Sequence, residues 1–224
     1  KTNLGYGKAN NQGIRKARGN TILLLNSDIV VLDESIEKLW RFCQTHNNSF
    51  IGGKLFNENG SPQPSSGPMC SLPVVFAMLF CKGDQMRLSR YSPDTVRAVD
   101  WVSGACLMGQ KAAFLNVGLF DEEIFMYMDE IEFLYRAKKL GYSVLFYPDA
   151  RFLHVGAASS HNRRTPVVNI YRGLLYFYKK HFPPASYTIL QVLLRAKALA
   201  AILLGRIMGR RDLVHTYEEA IRLV

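Results

Sequence analysis

Apolar residues fall along this chain in short blocks, each closed by small polar residues, glycine or proline. The block Thr21-Ile22-Leu23-Leu24-Leu25 stops abruptly at Asn26-Ser27-Asp28. It is too short for an amphipathic helix and predicts a buried parallel strand. From Asp33 to His46, apolar Ile36, Leu39, Trp40 and Cys43 recur at helical spacing. Phe50 to Phe56 predicts a second strand, interrupted by Gly52-Gly53, and Asn57 to Pro68 is loop by its Asn, Gly, Ser and Pro content. Leu72 to Cys81 is apolar and Lys82 to Arg97 charged. This stretch reads as an insertion of unassigned structure, a lid over a site. Val99 to Met108 predicts a strand broken by Ser103-Gly104, Lys111 to Leu115 a short helix, and Gly118 to Glu122 a turn.

A helix is expected from Asp129 to about Leu140, closed by Gly141. Tyr142 to Tyr147 predicts a strand, Pro148-Asp149 a turn, and Arg151 to His154 another short strand. Val155 to Thr165 is a polar loop, followed by an aromatic and basic helix from Val167 to Phe182 that Pro183-Pro184 ends. Tyr187 to Met208 predicts a long apolar helix. Strands alternating with helices make this an α/β chain.

Three stretches carry candidate chemistry. Asp28 stands at the carboxyl end of a strand, where open α/β sheets bind ligands, and its oxygens suit a divalent cation. The alternative is a turn with a helix cap, since Asp33-Glu34-Ser35 opens a helix nearby. Residues 3–13, Asn-Leu-Gly-Tyr-Gly-Lys-Ala-Asn-Asn-Gln-Gly, precede a helical segment running to about Arg18. Glycines let backbone approach a ligand and helix N-terminal amides favour anions. A plain solvated loop has the same composition, and the Gly-Lys-Ser/Thr ending of a P-loop is absent. Third, Asp129, Glu130 and Glu132 lie within an apolar and aromatic run. The helix dipole alone favours acids in a first turn. Glu132 and Arg136 are four apart and can pair, which leaves Asp129 and Glu130 free to point elsewhere. His154 ends a strand as a ligand or as a structural residue, and Trp101 is either core or a platform for a sugar ring.

Length and charge narrow the picture. The 224 residues suit one domain, or one domain with an appendage. The chain opens on Lys1 and a glycine-rich stretch with no strand before it, so an N-terminal piece is expected to be missing; what remains contains no signal peptide pattern. Cys43, Cys70, Cys81 and Cys106 form no metal-ligand pair and read as free thiols of a reducing compartment. The formal net charge is +10. Eleven Lys or Arg against three Asp or Glu fall in residues 163–224, and seventeen against fifteen in the rest. A basic excess confined to the apolar C-terminal part fits an anionic membrane surface, and no nucleic-acid motif accompanies it. Arg195 and Lys197 lie near the middle of the long helix, which opposes a transmembrane reading. They are expected close together beside a surface of Ile189, Leu190, Leu193, Leu194, Leu199 and Ile202, with Arg206, Arg210 and Arg211 extending the charge. The helix would lie in the membrane interface, or else bury that surface against protein.

In order along the chain, Asn3-Leu4-Gly5 through Asn10-Asn11-Gln12-Gly13, Leu23 through Asp28, Ser103-Gly104-Ala105 with Val117 through Glu122, and Phe125 through Arg136 together resemble the motifs of family-2 glycosyltransferases with the GT-A fold, especially the bacterial rhamnosyltransferase-like branch. The resemblance spans about residues 3–182. It implies a GT-A, Rossmann-like mixed sheet flanked by helices, with a catalytic domain over residues 1–165 and basic, apolar C-terminal helices over 166–224. It implies inverting transfer of a sugar from a nucleotide-diphosphate donor to a hydroxyl of a glycan or lipid-linked acceptor. Donor contacts would come from Asn3, Gly5, Lys8, Asn10, Asn11, Asn26 and Asp28, and acceptor contacts from Trp101, Ser103 and Gly104. Asp28 and His154 would hold Mn²⁺ or Mg²⁺, and Glu130 would be the general base, with Asp129 the alternative. The acidic pair reads Asp129-Glu130, the reverse of the family's usual order, and Glu132 stands where Asp is usual. The expected setting is the cytoplasmic face of the cell membrane. A non-catalytic sugar-nucleotide-binding or scaffolding domain is the other reading.

Overall fold

The structure, a computed structural model, describes residues 3–155 and 164–224. In chain order the elements are α1 (Tyr6–Lys16), β1 (Thr21–Leu25), β2 (Ile29–Val31), α2 (Ser35–Thr45), β3 (Ser49–Phe56), β4 (Pro62–Gln63), β5 (Ser66–Gly67) and α3 (Leu72–Phe80). After these come β6 (Arg97–Ala98), β7 (Trp101–Val102), β8 (Cys106–Gln110), α4 (Lys111–Val117), α5 (Asp129–Lys139), β9 (Ser143–His154), α6 (Arg164–His181), α7 (Pro184–Ile207) and α8 (Arg211–Ile221).

A mixed sheet runs in the order β1-β8-β3-β9-β2, with β4 added to β3 and β6 to β9; β5 and β7 form a separate small ribbon. The parallel pair is β3 with β9, whereas β1 pairs with β8 antiparallel. The expectation of a parallel β1 is therefore corrected: its burial alternates along the strand, as befits a strand covered mainly on one face. β9 corrects a second expectation. It runs without a break from Ser143 to His154, absorbing Pro148-Asp149-Ala150 as a bulge where its register against β3 jumps from Gly53↔Tyr147 to Lys54↔Arg151. Alternate residues Val144, Phe146, Ala150 and Phe152 stay buried across that bulge, so a common inward face keeps the strand whole. Ser103-Gly104 likewise separates two strands of different sheets, β7 and β8. Gly52 lets β7 cross over β3, since a Cβ there would lie 2.5 Å from Val102 Cβ.

The glycine-rich stretch is helix from Tyr6 onward, and the apolar half of the insertion between Leu72 and Arg97 forms α3. One apolar cluster fills the space between the sheet, α4 and α5, with the Phe133 ring in contact with those of Phe50, Phe114 and Phe120. The same cluster continues through Tyr171, Leu174, Phe177 and Tyr178 of α6 to Leu190, Leu194 and Ala198 of α7. A second cluster beneath α2 holds Leu39, Cys43, Ile51, Leu55 and Phe152. All four cysteines are free thiols.

Candidate active site

Two groups of polar residues meet where β1 ends. The first is a corner of β1, β2 and β9. The Asn26 amide donates to Ala105 O at 3.1 Å and Ile29 N to Asn26 O at 3.3 Å, closing the turn that carries Asp28. β2 then pairs Ile29 with His154, and Val155 N donates to Asp28 O at 2.9 Å. This register sets His154 Nε2 3.3 Å from Asp28 Oδ1, with both side chains 18% exposed. Asp28 does not cap α2, whose first turn has no side-chain cap. His154 Nδ1 lies 2.8 Å from Gln63 Oε1, an amide oxygen that only accepts, so Nδ1 is the protonated nitrogen. In the neutral ring, the Nε2 lone pair then faces a carboxylate oxygen. A cation between them satisfies both, and 3.3 Å is a separation that two donors can span at ligand bonds of about 2.0–2.2 Å. Gln63 would supply the orienting contact that ligating histidines normally have. The donor set therefore fits a divalent ion, and among the described residues no third His, Cys, Asp or Glu joins the pair.

The second group surrounds the start of α5. Tyr127 and Met128 both adopt left-handed backbone, φ 64° and 76°, so the chain turns sharply just before Asp129. Asp129 is 1% exposed and lies against the Gly7 amide, with Oδ1 unpartnered among the described residues. Burial first, and then the neighbouring Glu130, push its carboxyl up to about 7. Glu130 is only partly buried; burial raises its carboxyl too, opposed by Arg90 and the Gly104 amide. Tyr6 OH donates to Gly104 O at 2.7 Å, and the absence of a side chain at Gly104 makes room for that hydroxyl, which a Cβ there would meet at 2.5 Å. Burial and Glu130 raise the Tyr6 phenol well above its usual range. The Arg90 guanidinium stacks over Trp101 at 5.4 Å.

Glu132 points away from this group. Fully buried, it pairs with Arg136 as the spacing predicted, and also takes Lys180 at 2.9 Å and His181 at 3.0 Å from α6. Arg136 adds bonds to Val117 O and Leu119 O. This clamp fixes α5 while Asp129 and Glu130 face elsewhere.

Two expected contacts are corrected. Trp101 is 3% exposed and donates Nε1–H to Pro68 O at 2.9 Å, so its ring is core and no open platform for a sugar. Asn11 is 1% exposed and wholly engaged: Nδ2 donates to Phe120 O and Glu122 Oε1, and Oδ1 accepts from Phe120 N. It braces α1 against the turn after α4, with no atom left over for a donor. Of the other loop residues, Asn3 Oδ1 accepts from Gly5 N, Asn10 Nδ2 donates to Tyr6 O, and exposed Lys8 approaches Glu122 at 3.9 Å. Gly5 (φ +83°) sits under Phe125 O, where a Cβ would come to 2.3 Å. Ser103 N donates to Ser65 O at 2.8 Å and its hydroxyl accepts from Ala105 N at 3.3 Å. Tyr6, Gln63 and Arg90 went unread in the sequence. Each acquires its neighbours in the site through contacts eleven or more residues apart, and nothing local marks them.

The family model described as "Glycosyltransferase like family 2" matches residues 1–199. A "low-salt glycan biosynthesis hexosyltransferase Agl10" of Haloferax volcanii is 31% identical over 141 residues, covering 61% of this chain and 44% of the relative. An "N-acetylglucosaminyl-diphospho-decaprenol L-rhamnosyltransferase" of Mycobacterium tuberculosis is 30% identical over 178 residues, covering 70% of this chain and 58% of the relative. The chain thus spans about half the length of these curated relatives. Among solved structures, GalNAc-T7 with UDP, GalNAc and Mn²⁺ superposes with a TM-score of 0.55 at 15% identity, over 85% of this chain and 41% of that one, which shows the shared GT-A architecture. With the family model covering most of its length, this chain belongs to the family-2 glycosyltransferases.

Proposed function

We propose that this chain carries the catalytic centre of an inverting transferase that moves a hexose-type sugar, rhamnose among the candidates, from a nucleotide-diphosphate donor to a hydroxyl of a glycan or lipid-linked acceptor in cell-surface polysaccharide synthesis. The observation that carries the reading is the joining of the Asp28–His154 corner to the Glu130 group by one short crossing, Asn26 N to Ala105 O beside Gly104. Asp28 and His154 would hold Mn²⁺ or Mg²⁺, which when bound offsets the charge that grows on a departing diphosphate. Asn26 orients the turn, and Gln63 orients His154. Glu130 takes the proton from the attacking hydroxyl. Its partial exposure beside Gly104 and Arg90 supports that role over Asp129, which is sealed behind the α1 backbone. Burial keeps the Glu130 carboxylate a stronger base than an exposed glutamate. The acceptor would be presented at the cytoplasmic face of an anionic membrane.

Thermal shift of the protein with nucleotide sugars, with and without Mn²⁺, tests the reading. A donor-induced rise in Tm that requires Mn²⁺ and disappears in Asp28→Ala is expected. A rise of equal size in Asp28→Ala would refute the metal corner, and no response to any nucleotide sugar would refute the donor class.

A further inference from the structure

The face that α7 turns outward is not the one its sequence suggested. Leu190, Leu194 and Ile202 are buried against the body, together with Ala198 and Gly205, and the Tyr171 hydroxyl donates to Leu194 O at 3.1 Å. The exposed side carries Ile189, Val192, Leu199, Leu203, Leu204 and Ile207, with Leu203 62% and Ile207 75% exposed. At about 100° per residue these positions fill an arc roughly 140° wide, and only alanines and Leu193 lie between them. Arg195 and Lys197, two apart, project to opposite borders of that arc, correcting the expectation that they sit together. On one border Arg195 bonds the Val224 carbonyl and Arg206 stands 3.4 Å from Glu218. On the other, Lys197 lies over the Phe80 ring at 5.9 Å. Phe80 belongs to α3, whose own outer face exposes Phe76 and Phe80. Two helices distant in sequence thus present apolar surfaces that meet at Lys197, with Arg195 and Arg206 along the far rim of α7.

We propose that this α3–α7 surface is a monotopic docking face for an anionic bilayer. α7 has the length and apolarity of a spanning helix, 24 residues containing an 18-residue stretch with a mean hydropathy of 1.7. Spanning would strip Leu190, Leu194 and Ala198 from the core they help to build. Lying in the interface keeps that core, sinks the outer arc into acyl chains and lets Arg195, Lys197 and Arg206 reach lipid phosphates. Lys197 within the surface favours a bilayer over a second copy of the chain, because a two-fold copy would bury its ammonium in an apolar interface, whereas a long lysine stem can reach lipid phosphates. α3 also ties the face to the site. It starts at Leu72, four residues beyond Pro68, whose carbonyl accepts from Trp101 Nε1, and the Trp101 ring carries the Arg90 guanidinium of the Glu130 group at 5.4 Å. Resting here on the transferase reading, a lipid-linked hydroxyl entering along α3 would arrive on the Glu130 side of the site.

Co-sedimentation of the full chain with vesicles tests the face. The protein should pellet with vesicles of equal parts phosphatidylcholine and phosphatidylglycerol, less with phosphatidylcholine alone, and less as salt is raised. Leu203→Glu combined with Ile207→Glu should weaken partitioning roughly tenfold or more, and Phe76→Ser with Phe80→Ser should weaken it measurably. The wild-type comparison of lipids and salt needs no variant, so it stands even if a variant misfolds. Wild-type protein remaining in the supernatant would overturn the proposal. So would a folded Leu203→Glu/Ile207→Glu protein that pellets unchanged, or light scattering that finds a dimer dissolved by that change with no vesicle binding. Mn²⁺-dependent donor shifts measured without vesicles keep the two readings apart: a vesicle-blind variant that retains its donor shift separates membrane docking from transferase function.

Discussion

Asp129 and Glu130 are neighbours with different surroundings, and the difference makes them experimentally separable. Glu130→Gln keeps the shape of the side chain but cannot accept a proton. Turnover should fall by ~10²-fold or more with donor affinity little changed; an unaltered rate would move the base elsewhere. Because burial raises the Glu130 carboxyl, activity should also fall as pH drops through that raised value and the base protonates. Asp129→Asn has a different signature. A carboxyl at about 7 in the folded protein, against ~3.9 unfolded, binds a proton more readily when folded. Stability from this group is complete below pH ~4, is lost as pH rises towards 7, and stays low beyond. Asp129→Asn removes the burial of an ionised group, so it should stabilise the protein by roughly 2–4 kcal/mol at pH 8 and by little at pH 4. Denaturant midpoints at the two pH values check this; an equal effect at both would show that Asp129 is ordinary.

At the scale of elements, legibility followed the range over which each element is determined. α2, β3 and α5 could be read because their apolar spacing is local and regular. α1 could not. Gly7, Asn10, Asn11 and Gly13 are weak helix formers, and its helix is held by Asn11 bracing Phe120 and by Tyr6 edge-on to the Phe120 ring at 5.6 Å. Pro148 hid the continuity of β9, because a bulge accommodates a proline that a regular ladder would reject. In α7 the apolar positions run nearly all round the helix, so periodicity identified a helix without saying which side faces inward; packing against α6 and α8 decided that. The same distinction runs through the site. Asp28, Glu130 and His154 stand at ends of readable elements. The contacts that join them to Gln63, Arg90 and Tyr6 exist only after folding.

For the molecule as a whole, the shared apolar cluster has a thermodynamic consequence. It runs from Ile14 and Phe50 through Tyr178 to Leu194 and Ala220, so segments 1–165 and 166–224 should unfold together. Near-UV signal from buried Trp101 and far-UV helical signal should fall at one denaturant midpoint; two separated transitions would show instead that the C-terminal helices form an independent unit. A last consequence follows from Gly173 in α6. A Cβ at that position would meet Met128 Cγ at 2.7 Å and Tyr127 O at 3.0 Å. The left-handed pair that aims Glu130 is thus seated in a notch left by a missing side chain more than forty residues downstream. Filling the notch would act as a wedge under the carboxylate, so position 173 belongs to the tolerance map of the reaction although it touches none of the reacting groups.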